Sequence, residues 1–191
     1  MTANNLNDDW WKQAVVYQIY PRSFKDVNGD GIGDIAGVTE KMDYLKNLGV
    51  DAIWLSPFYP SDLADGGYDV IDYRNVDPRL GTMDDFDTMA KAAHEAGIKV
   101  IVDIVPNHTA DKHVFFKEAL AAEPGSPARD RYIFRDGKGS NGDQPPTNWE
   151  NHFGGPAWTR VPDGQWYLHM FTKEQSDWNW NCLLYTSDAA D

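Results

Sequence analysis

The chain has 191 residues, of which 41% are hydrophobic and 13% aromatic, enough for the core of one domain or slightly more. Its 30 acidic and 17 basic residues give a net charge of -13, which argues against nucleic acid or anionic membranes as partners. A polar N-terminus without a secretory signal, no apolar run long enough to span a membrane, and the single cysteine Cys182 predict a cytoplasmic protein.

The first predicted strand is the β-branched and aromatic run at residues 14–20, and an unusual loop follows it at residues 26–34. This loop sets Asp and Asn oxygens at alternate positions and turns on glycines, like the first half of a calcium-binding helix-loop-helix loop. Gly37 stands where that pattern needs a bidentate Glu. We therefore predict a metal site between a strand and a helix, with a solvated Asp/Asn/Gly turn as the alternative.

Two more buried strands are predicted at residues 51–55 and 98–105, and helices are predicted at 38–48 and 83–96. The first helix ends at Gly49, and the second begins with a Thr-x-x-Asp cap. Alternating strands and helices favour right-handed crossovers and a parallel sheet. The apolar stripe of the first helix consists of Val38, Met42, Leu45 and Leu48.

Beyond the third strand, residues 106–175 are rich in Pro, Gly, Trp and Asn, and the pattern predicts an irregular excursion with one helical patch near 114–122. The many aromatic residues indicate that this excursion is ordered, because disordered linkers lack them. Residues 182–191 continue neither a helix nor a strand pattern, and we expect the chain to stop within a fold or to carry an atypical tail.

Several motifs, occurring in the expected order, closely resemble the α-amylase superfamily of glycoside hydrolases, glycoside hydrolase family 13. Within it, the oligo-1,6-glucosidase and α-glucosidase subfamily is the nearest match. The motifs are Gln-Ile-Tyr-Pro-Arg-Ser-Phe at 18–24, the loop at 26–34, Gly-Tyr-Asp-Val-Ile-Asp-Tyr at 67–73, Asp-Ile-Val-Pro-Asn-His-Thr at 103–109, and the Asn-Trp-Glu to Ala-Trp segment at 148–158.

The resemblance implies an α/β fold that comprises the first three strand-helix units of a TIM (β/α)8 barrel, left incomplete here, plus a domain inserted after the third strand. On this basis residues 1–107 form the N-terminal part of the barrel and residues 108–175 the inserted domain. Residues 176–191 then start the return to the barrel. Ligand sites in such barrels lie at the C-terminal ends of the strands, where several of the motif residues are expected.

The resemblance also implies a sugar pocket. Asp65 binds vicinal hydroxyls, the Tyr68 ring covers a pyranose face, and His108 donates a hydrogen bond to the sugar beside the scissile bond. Aromatic rings from the inserted domain wall the pocket. The implied substrate-binding residues are Asp65, Tyr68, His108, Phe153, Phe171 and Gln175. For each residue taken singly, an ordinary structural role is the alternative.

Two further residues are expected to support the site: Asp103 by orienting an arginine, and Asn107 by serving a calcium ion or by holding the loop. The segment 175–179, Gln-Ser-Asp-Trp-Asn, resembles the Gln-Pro-Asp-Leu-Asn signature of the oligo-1,6-glucosidase group but departs from it at Ser176 and Trp178. Subfamily membership is favoured, while the preference for α-1,4 or α-1,6 linkages stays open.

Relatives of this kind are retaining hydrolases that use two carboxyl groups about 5 to 5.5 Å apart. In the family these groups follow the fourth and fifth strands, so the chain should contain no catalytic residue and should be inactive alone. The expected activity of the whole protein is that of an exo-acting α-glucosidase on malto- or isomalto-oligosaccharides or sucrose. A glucosyl transferase or isomerase, such as a trehalose synthase, sucrose isomerase or amylosucrase, and a non-catalytic protein of the same fold are the alternatives.

The implied cofactor is structural Ca²⁺, with Mg²⁺ as the alternative, and the implied partner is an oligosaccharide or disaccharide bound by a monomer. Neither nucleic acid nor a membrane is expected as a partner. The resemblance gives the metal ligands as Asp26, Asn28, Asp30, the Ile32 carbonyl and Asp34.

Overall fold

The computed structural model describes residues 9–182, so the predicted atypical tail lies outside the described residues except for Cys182. The chain forms two compact units, one from residues up to 58 with 74–104, the other from residues 59–73 with those from 105 onward. The domain bounds predicted after residues 107 and 175 stay a prediction. Across the described part of the chain, no helix is long and apolar enough to cross a membrane.

The first unit contains a parallel sheet in the order β1-β2-β3, as the alternation of strands and helices predicts. Its register aligns Val16 with Ala52 and Ala52 with Lys99. The third strand ends at Val102, so the predicted strand at 98–105 was too long. The strands are β1 (Val16–Ile19), β2 (Ala52–Leu55) and β3 (Lys99–Val102).

Only the central strand β2 fits the expectation of a buried strand. Ala52, Ile53 and Leu55 are fully buried, whereas Val16 on β1 is 44% exposed and Val102 on β3 is 37% exposed. Both of these strands lie at edges of the three-stranded sheet, where one side lacks a neighbouring strand. The three strands are therefore buried to different degrees, although all three runs are apolar in sequence.

The predicted helix at 38–48 is two helices, because the chain leaves helical geometry at Lys41, with φ -91° and ψ 8°. Leu48 is 52% exposed, so the apolar stripe ends one turn earlier than predicted. Gly49 ends the second helix in the left-handed region, as expected. The short helix that follows β1 was not predicted from the sequence pattern. These helices are α1 (Pro21–Phe24), α2 (Ile35–Glu40) and α3 (Met42–Leu48).

Helix α4 (Met83–Glu95) confirms the predicted second linking helix. The Thr82 side chain accepts a hydrogen bond from the Asp85 amide, and the Asp85 carboxylate accepts one from the Thr82 amide. This reciprocal cap satisfies two amides that the first turn would leave unpaired. Met89 and Ala93 form its buried face, and α4 packs against α2.

The second unit contains more regular structure than the single helical patch that the sequence predicts. Strands of three or four residues between Gly- and Pro-rich loops are too short to show a clear alternation. They form an antiparallel pair, β4 with β8, and an antiparallel sheet in the order β5-β7-β6. The elements are β4 (His108–Ala110), α5 (Val114–Ala121), a 3-10 turn (Arg129–Arg131), β5 (Phe134–Asp136), β6 (Trp158–Arg160), β7 (Gln165–Leu168) and β8 (Gln175–Asp177).

An aromatic core holds this second unit together. Phe116 of α5 packs edge-on against Tyr132 and Tyr167, with ring centroids 5.0 Å apart in both pairs. Trp178 stacks on Tyr132 at 4.6 Å. The aromatic residues of this region therefore form an ordered core, as predicted.

Candidate functional site

The loop at residues 59–73 is organised by Asp69, which is 1% exposed. Its carboxylate accepts hydrogen bonds from Ser61 Oγ at 2.6 Å and from the Asp62 amide at 2.9 Å. The carbonyl of Val70, the next residue, accepts from the Ala110 amide on β4 at 2.9 Å. These bonds fix the segment that carries Asp65 and Tyr68 against strand β4.

Strand pairing gathers the polar side chains of β4 and β8 on one face. His108 lies opposite Asp177, and Ala110 lies opposite Gln175. Because side chains alternate along strands and paired residues share a face, Gln175, Asp177 and His108 point the same way. Ser176, one of the two departures from the subfamily signature, points to the opposite face. Its position therefore leaves the polar face unchanged.

Gln175 joins residues that are far apart in sequence. Its Nε2 donates to Asp65 Oδ2 at 3.0 Å, across 110 positions, and lies 2.9 Å from His108 Nε2. Its Oε1 accepts from the Thr172 amide at 2.9 Å. Gln175 is fully buried, whereas Asp65 is half-buried. Thus Gln175 forms the back of a cluster whose carboxylate remains accessible.

His108 is buried at the centre of this cluster. Its Nε2 lies 3.1 Å from the Tyr68 carbonyl oxygen, and its Nδ1 lies 3.1 Å from Asn107 Nδ2. Burial lowers the pKa of His108 below its ordinary value, outweighing the Tyr68 hydrogen bond and the charges of Asp65 and Asp69. The imidazole is therefore neutral at pH 7, so that it acts as a hydrogen-bonding group rather than a cation.

Aromatic rings extend the cluster. Phe171 lies 5.1 Å from the His108 ring and 4.8 Å from the His152 ring, measured between centroids. Phe153 packs edge-on against Phe171 at 6.2 Å but is 61% exposed. An exposed ring beside a half-buried one is a suitable surface for the C-H face of a sugar.

Three supporting residues were not assigned to the site from the sequence: Asp69, Tyr73 and Asp177. The Tyr73 hydroxyl lies 2.7 Å from the His108 carbonyl oxygen, and burial raises the pKa of Tyr73. Asp177 accepts from Asn107 Nδ2 at 3.0 Å, and burial raises its pKa to about 6. The signal that could have identified them is a polar residue inside an apolar motif, such as Asp69 before Val70.

The structure thus brings together seven of the eight predicted substrate-binding and supporting residues in the second unit. The exception is Asp103, which lies in the first unit, one residue beyond β3, and is half-buried. The seven are Asp65, Tyr68, Asn107, His108, Phe153, Phe171 and Gln175.

The loop at residues 26–34 belongs to the first unit. Asp26 accepts from the Gly29 amide at 2.7 Å and the Gly31 amide at 2.8 Å, and these bonds, Gly31 foremost, lower its pKa. Buried Asp34 accepts from the Gly37 amide and caps α2. A Cβ at Gly37 would collide with the Lys25 carbonyl, which explains the glycine where a calcium loop has Glu.

Between residues 9 and 182 the structure has no group of three or more His, Cys, Asp and Glu side chains that could hold a metal ion. The loop oxygens are of the kind that Ca²⁺ binds, but they already accept backbone amides within the loop. The calcium site therefore stays a prediction.

Comparisons with known proteins give the family. The model of the α-amylase catalytic domain matches residues 18–183. An oligo-1,6-glucosidase of Parageobacillus thermoglucosidasius is 54% identical over 172 residues, covering 90% of this chain and 30% of that protein. A trehalose-6-phosphate hydrolase of Escherichia coli is 51% identical over 172 residues, with the same shares. The chain therefore spans about 30% of the length of these relatives.

Solved structures agree with this result. The trehalose-6-phosphate hydrolase of Bacillus licheniformis superposes with a TM-score of 0.88 at 50% identity, covering 94% of this chain and 32% of that one. A variant of MutB, a trehalulose synthase, in complex with its substrate sucrose gives a TM-score of 0.88 at 49% identity, with the same coverage. The chain therefore belongs to the α-amylase family, and its curated relatives include glycoside hydrolases.

Proposed function

We propose that the whole protein is a retaining α-glucosidase that removes glucose from the ends of α-linked gluco-oligosaccharides or disaccharides. The observation that carries the proposal is the cluster in which Gln175 connects Asp65 with His108. The Asp65 carboxylate, held by a buried amide, can accept hydrogen bonds from sugar hydroxyls, and the neutral imidazole beside it can donate one. Identity near 50% to oligo-1,6-glucosidases and trehalose-6-phosphate hydrolases supports the same reaction class.

The proposed fold of the whole protein is a (β/α)8 barrel. Strands β1, β2 and β3, with the helices that connect them, would be its first three units. Residues 108–175 would be a domain inserted after the third strand, and residues from 176 onward would start the return to the barrel. The right-handed crossovers that connect parallel strands favour this arrangement. A TM-score of 0.88 to longer relatives supports it.

In this proposal Asp65 and Tyr68 bind the terminal glucose, while Phe153 and Phe171 cover its apolar face. Phe171 is half-buried and Phe153 exposed, as rings that contact a ligand need to be. The nucleophile and the acid/base carboxyl group would lie outside the present sequence, since in the family they follow later strands. The chain alone should therefore bind sugar without hydrolysing it.

A glucosyl isomerase or transferase is the second candidate, because MutB, a trehalulose synthase with sucrose as its substrate, is 49% identical. The two candidates share the first step, in which a carboxylate displaces the leaving sugar. They differ in whether water or a sugar hydroxyl captures the intermediate. Products formed from sucrose would distinguish them: free glucose for the hydrolase, an isomeric disaccharide for the isomerase.

We further propose that the loop at 26–34 binds Ca²⁺ as a structural ion. Support comes from the donor set, which contains carboxylate, amide and carbonyl oxygens only, and from the positive φ values of Gly29 and Gly31, which turn the backbone around it. Ligands would be those that the family resemblance implies. The lone Cys182 supports a reducing compartment such as the cytoplasm.

The test is a chimera in which residues 1–182 replace the matching part of the Parageobacillus oligo-1,6-glucosidase. We expect it to hydrolyse p-nitrophenyl α-glucoside, and we expect Asp65→Ala to lower kcat/KM by about 100-fold or more, because buried polar groups lose their partners. The control Asp87→Ala changes an exposed carboxylate on α4 and should leave activity unchanged. An Asp65→Ala chimera with full activity would overturn the assignment.

A further inference from the structure

The surroundings of His108 raise a question of proton position that the proposed function leaves open. A neutral imidazole carries one proton, so that one ring nitrogen donates and the other accepts. Nδ1 faces Asn107 Nδ2 at 3.1 Å, while Nε2 faces both the Tyr68 carbonyl at 3.1 Å and Gln175 Nε2 at 2.9 Å. His108 is only 3% exposed, so bulk water cannot readily replace these partners.

The orientation of the Asn107 amide is fixed from its far side. Asn107 Nδ2 lies 3.0 Å from Asp177 Oδ1, and an ionised carboxylate only accepts hydrogen bonds. The amide nitrogen must therefore face Asp177, and the same nitrogen directs its second hydrogen towards His108 Nδ1. This contact requires Nδ1 to be the acceptor, which places the ring proton on Nε2.

Gln175 favours the opposite arrangement. Its Oε1 accepts from the Thr172 amide and its Nε2 donates to Asp65, so the amide cannot be reversed without losing both bonds. Its second hydrogen faces His108 Nε2. With the proton on Nε2, the Asn107 and Tyr68 contacts are satisfied and the Gln175 contact is not. With the proton on Nδ1, only the Gln175 contact is satisfied.

We propose that Asn107, oriented by Asp177, is a positioning residue that fixes His108 in its Nε2-H form. The ring proton then lies beside Tyr68 and Gln175, on the side of Asp65. The purpose of this arrangement rests on the proposed function: a sugar hydroxyl bound near Asp65 would face the N–H donor of His108 rather than a nitrogen lone pair.

The experiment is ¹⁵N NMR of the imidazole rings in the 191-residue chain at pH 8, where the two ring nitrogens of a neutral histidine have distinct shifts. Two other histidines serve as internal references. His169 Nδ1 lies 3.2 Å from the Phe171 carbonyl and should carry its proton there. His113 Nδ1 accepts from the Phe115 amide at 3.2 Å and should carry its proton on Nε2. We expect the two ring-nitrogen shifts of His108 to resemble those of His113, with the proton on Nε2.

The decisive variant is Asn107→Ala, which removes the donor at Nδ1 and should move the His108 shifts towards an average of the two forms. Asn148→Ala alters another exposed asparagine and should change nothing. Asp177→Asn keeps an oxygen that can accept from Asn107, so the Nε2-H form should persist. A native chain with the proton on Nδ1 would overturn the inference, as would Asn107→Ala spectra identical to the native ones.

Titration of the same native sample with glucose separates this inference from the proposed function. Shifts at His108 and at the amides around Asp65 are expected on binding. If glucose caused no shift changes while His108 still carried its proton on Nε2, the proposed sugar pocket would be wrong and the positioning role of Asn107 would be kept. A single set of spectra therefore assigns a failure to one proposal or the other.

Discussion

The loop at residues 26–34 and the cluster around Gln175 are both built from oxygen and nitrogen side chains, but they are assembled in different ways. In the loop, the side-chain hydrogen bonds that shape the turn span seven positions or fewer, from Asp26 to Gly29 up to Asp34 to Val27. In the cluster, Gln175 reaches Asp65 across 110 positions. A local motif can therefore be recognised from sequence alone, whereas the cluster exists only after β4 and β8 have paired.

The comparison predicts that the cluster contributes more to stability than the loop does. Gln175→Leu should lower the free energy of unfolding by about 2 to 3 kcal/mol, because the Thr172 amide loses its acceptor and Asp65 its donor. Urea unfolding followed by tryptophan fluorescence measures this change. Ser176→Ala, on the opposite face, loses only a long 3.4 Å bond to the Thr109 carbonyl and should cost less than about 1 kcal/mol. Equal losses in the two variants would contradict the role assigned to Gln175.

The second expected effect depends on pH. The Asp177 pKa is about 6 in the folded chain, against about 3.9 in an unfolded one, so the folded state holds its proton more tightly. Stability should therefore fall as pH rises from about 4 to 6, since in this window the unfolded state binds fewer protons. At pH 8, Asp177→Asn should be more stable than the native chain by about 1 to 2 kcal/mol.

The measurement is the difference in unfolding free energy between the native chain and Asp177→Asn at several pH values. The difference should grow between pH 4 and 6 and then level off. Asp87→Asn, at an exposed position on α4, provides the matched control and should show no such window. A difference between Asp177→Asn and the native chain that is independent of pH would rule out a raised pKa at this position.

The third effect concerns a purely local feature. Thr82→Ala removes the side chain that caps α4 and should cost about 1 kcal/mol. Thr88→Ala, within the same helix, removes a hydroxyl that bonds the Asp84 carbonyl and should be neutral or slightly stabilising. Thermal unfolding compares the two. If both threonines behaved alike, the cap would not be the stabilising element.

The same contrast explains how far the sequence could predict the fold. Local signals were confirmed: the Thr82 cap, the Gly49 helix end and the three parallel strands. The break at Lys41 was missed because an apolar stripe continues across it. The short strands of the second unit were missed because three residues cannot show a period.

For the site, family resemblance provided the residues but not their connections. Nothing local to Asp177 shows that it faces Asn107 rather than solvent, because that contact depends on the register of β4 and β8. Asp69 lies within the Gly-Tyr-Asp-Val-Ile-Asp-Tyr motif at 67–73, but its role in holding the loop that carries Asp65 depends on contacts that only the folded loop makes. Buried polar residues that position others are therefore the part of a site that sequence patterns predict least well.

The smallest expected effect, calcium binding, tests whether the local loop is more than a turn. At a Ca²⁺ concentration equal to Kd, binding to the folded state alone adds RT ln 2, about 0.4 kcal/mol, and the gain grows with concentration. Asp26→Asn should abolish the gain, whereas Asp43→Asn, at an exposed position on α3, should retain it. Thermal unfolding at increasing Ca²⁺, with Mg²⁺ in parallel, measures both. The loop oxygens already accept hydrogen bonds from backbone amides, so an ion must compete with those bonds. A melting temperature that is independent of Ca²⁺ would mean that the Asp, Asn and Gly residues of the loop serve only to form the turn.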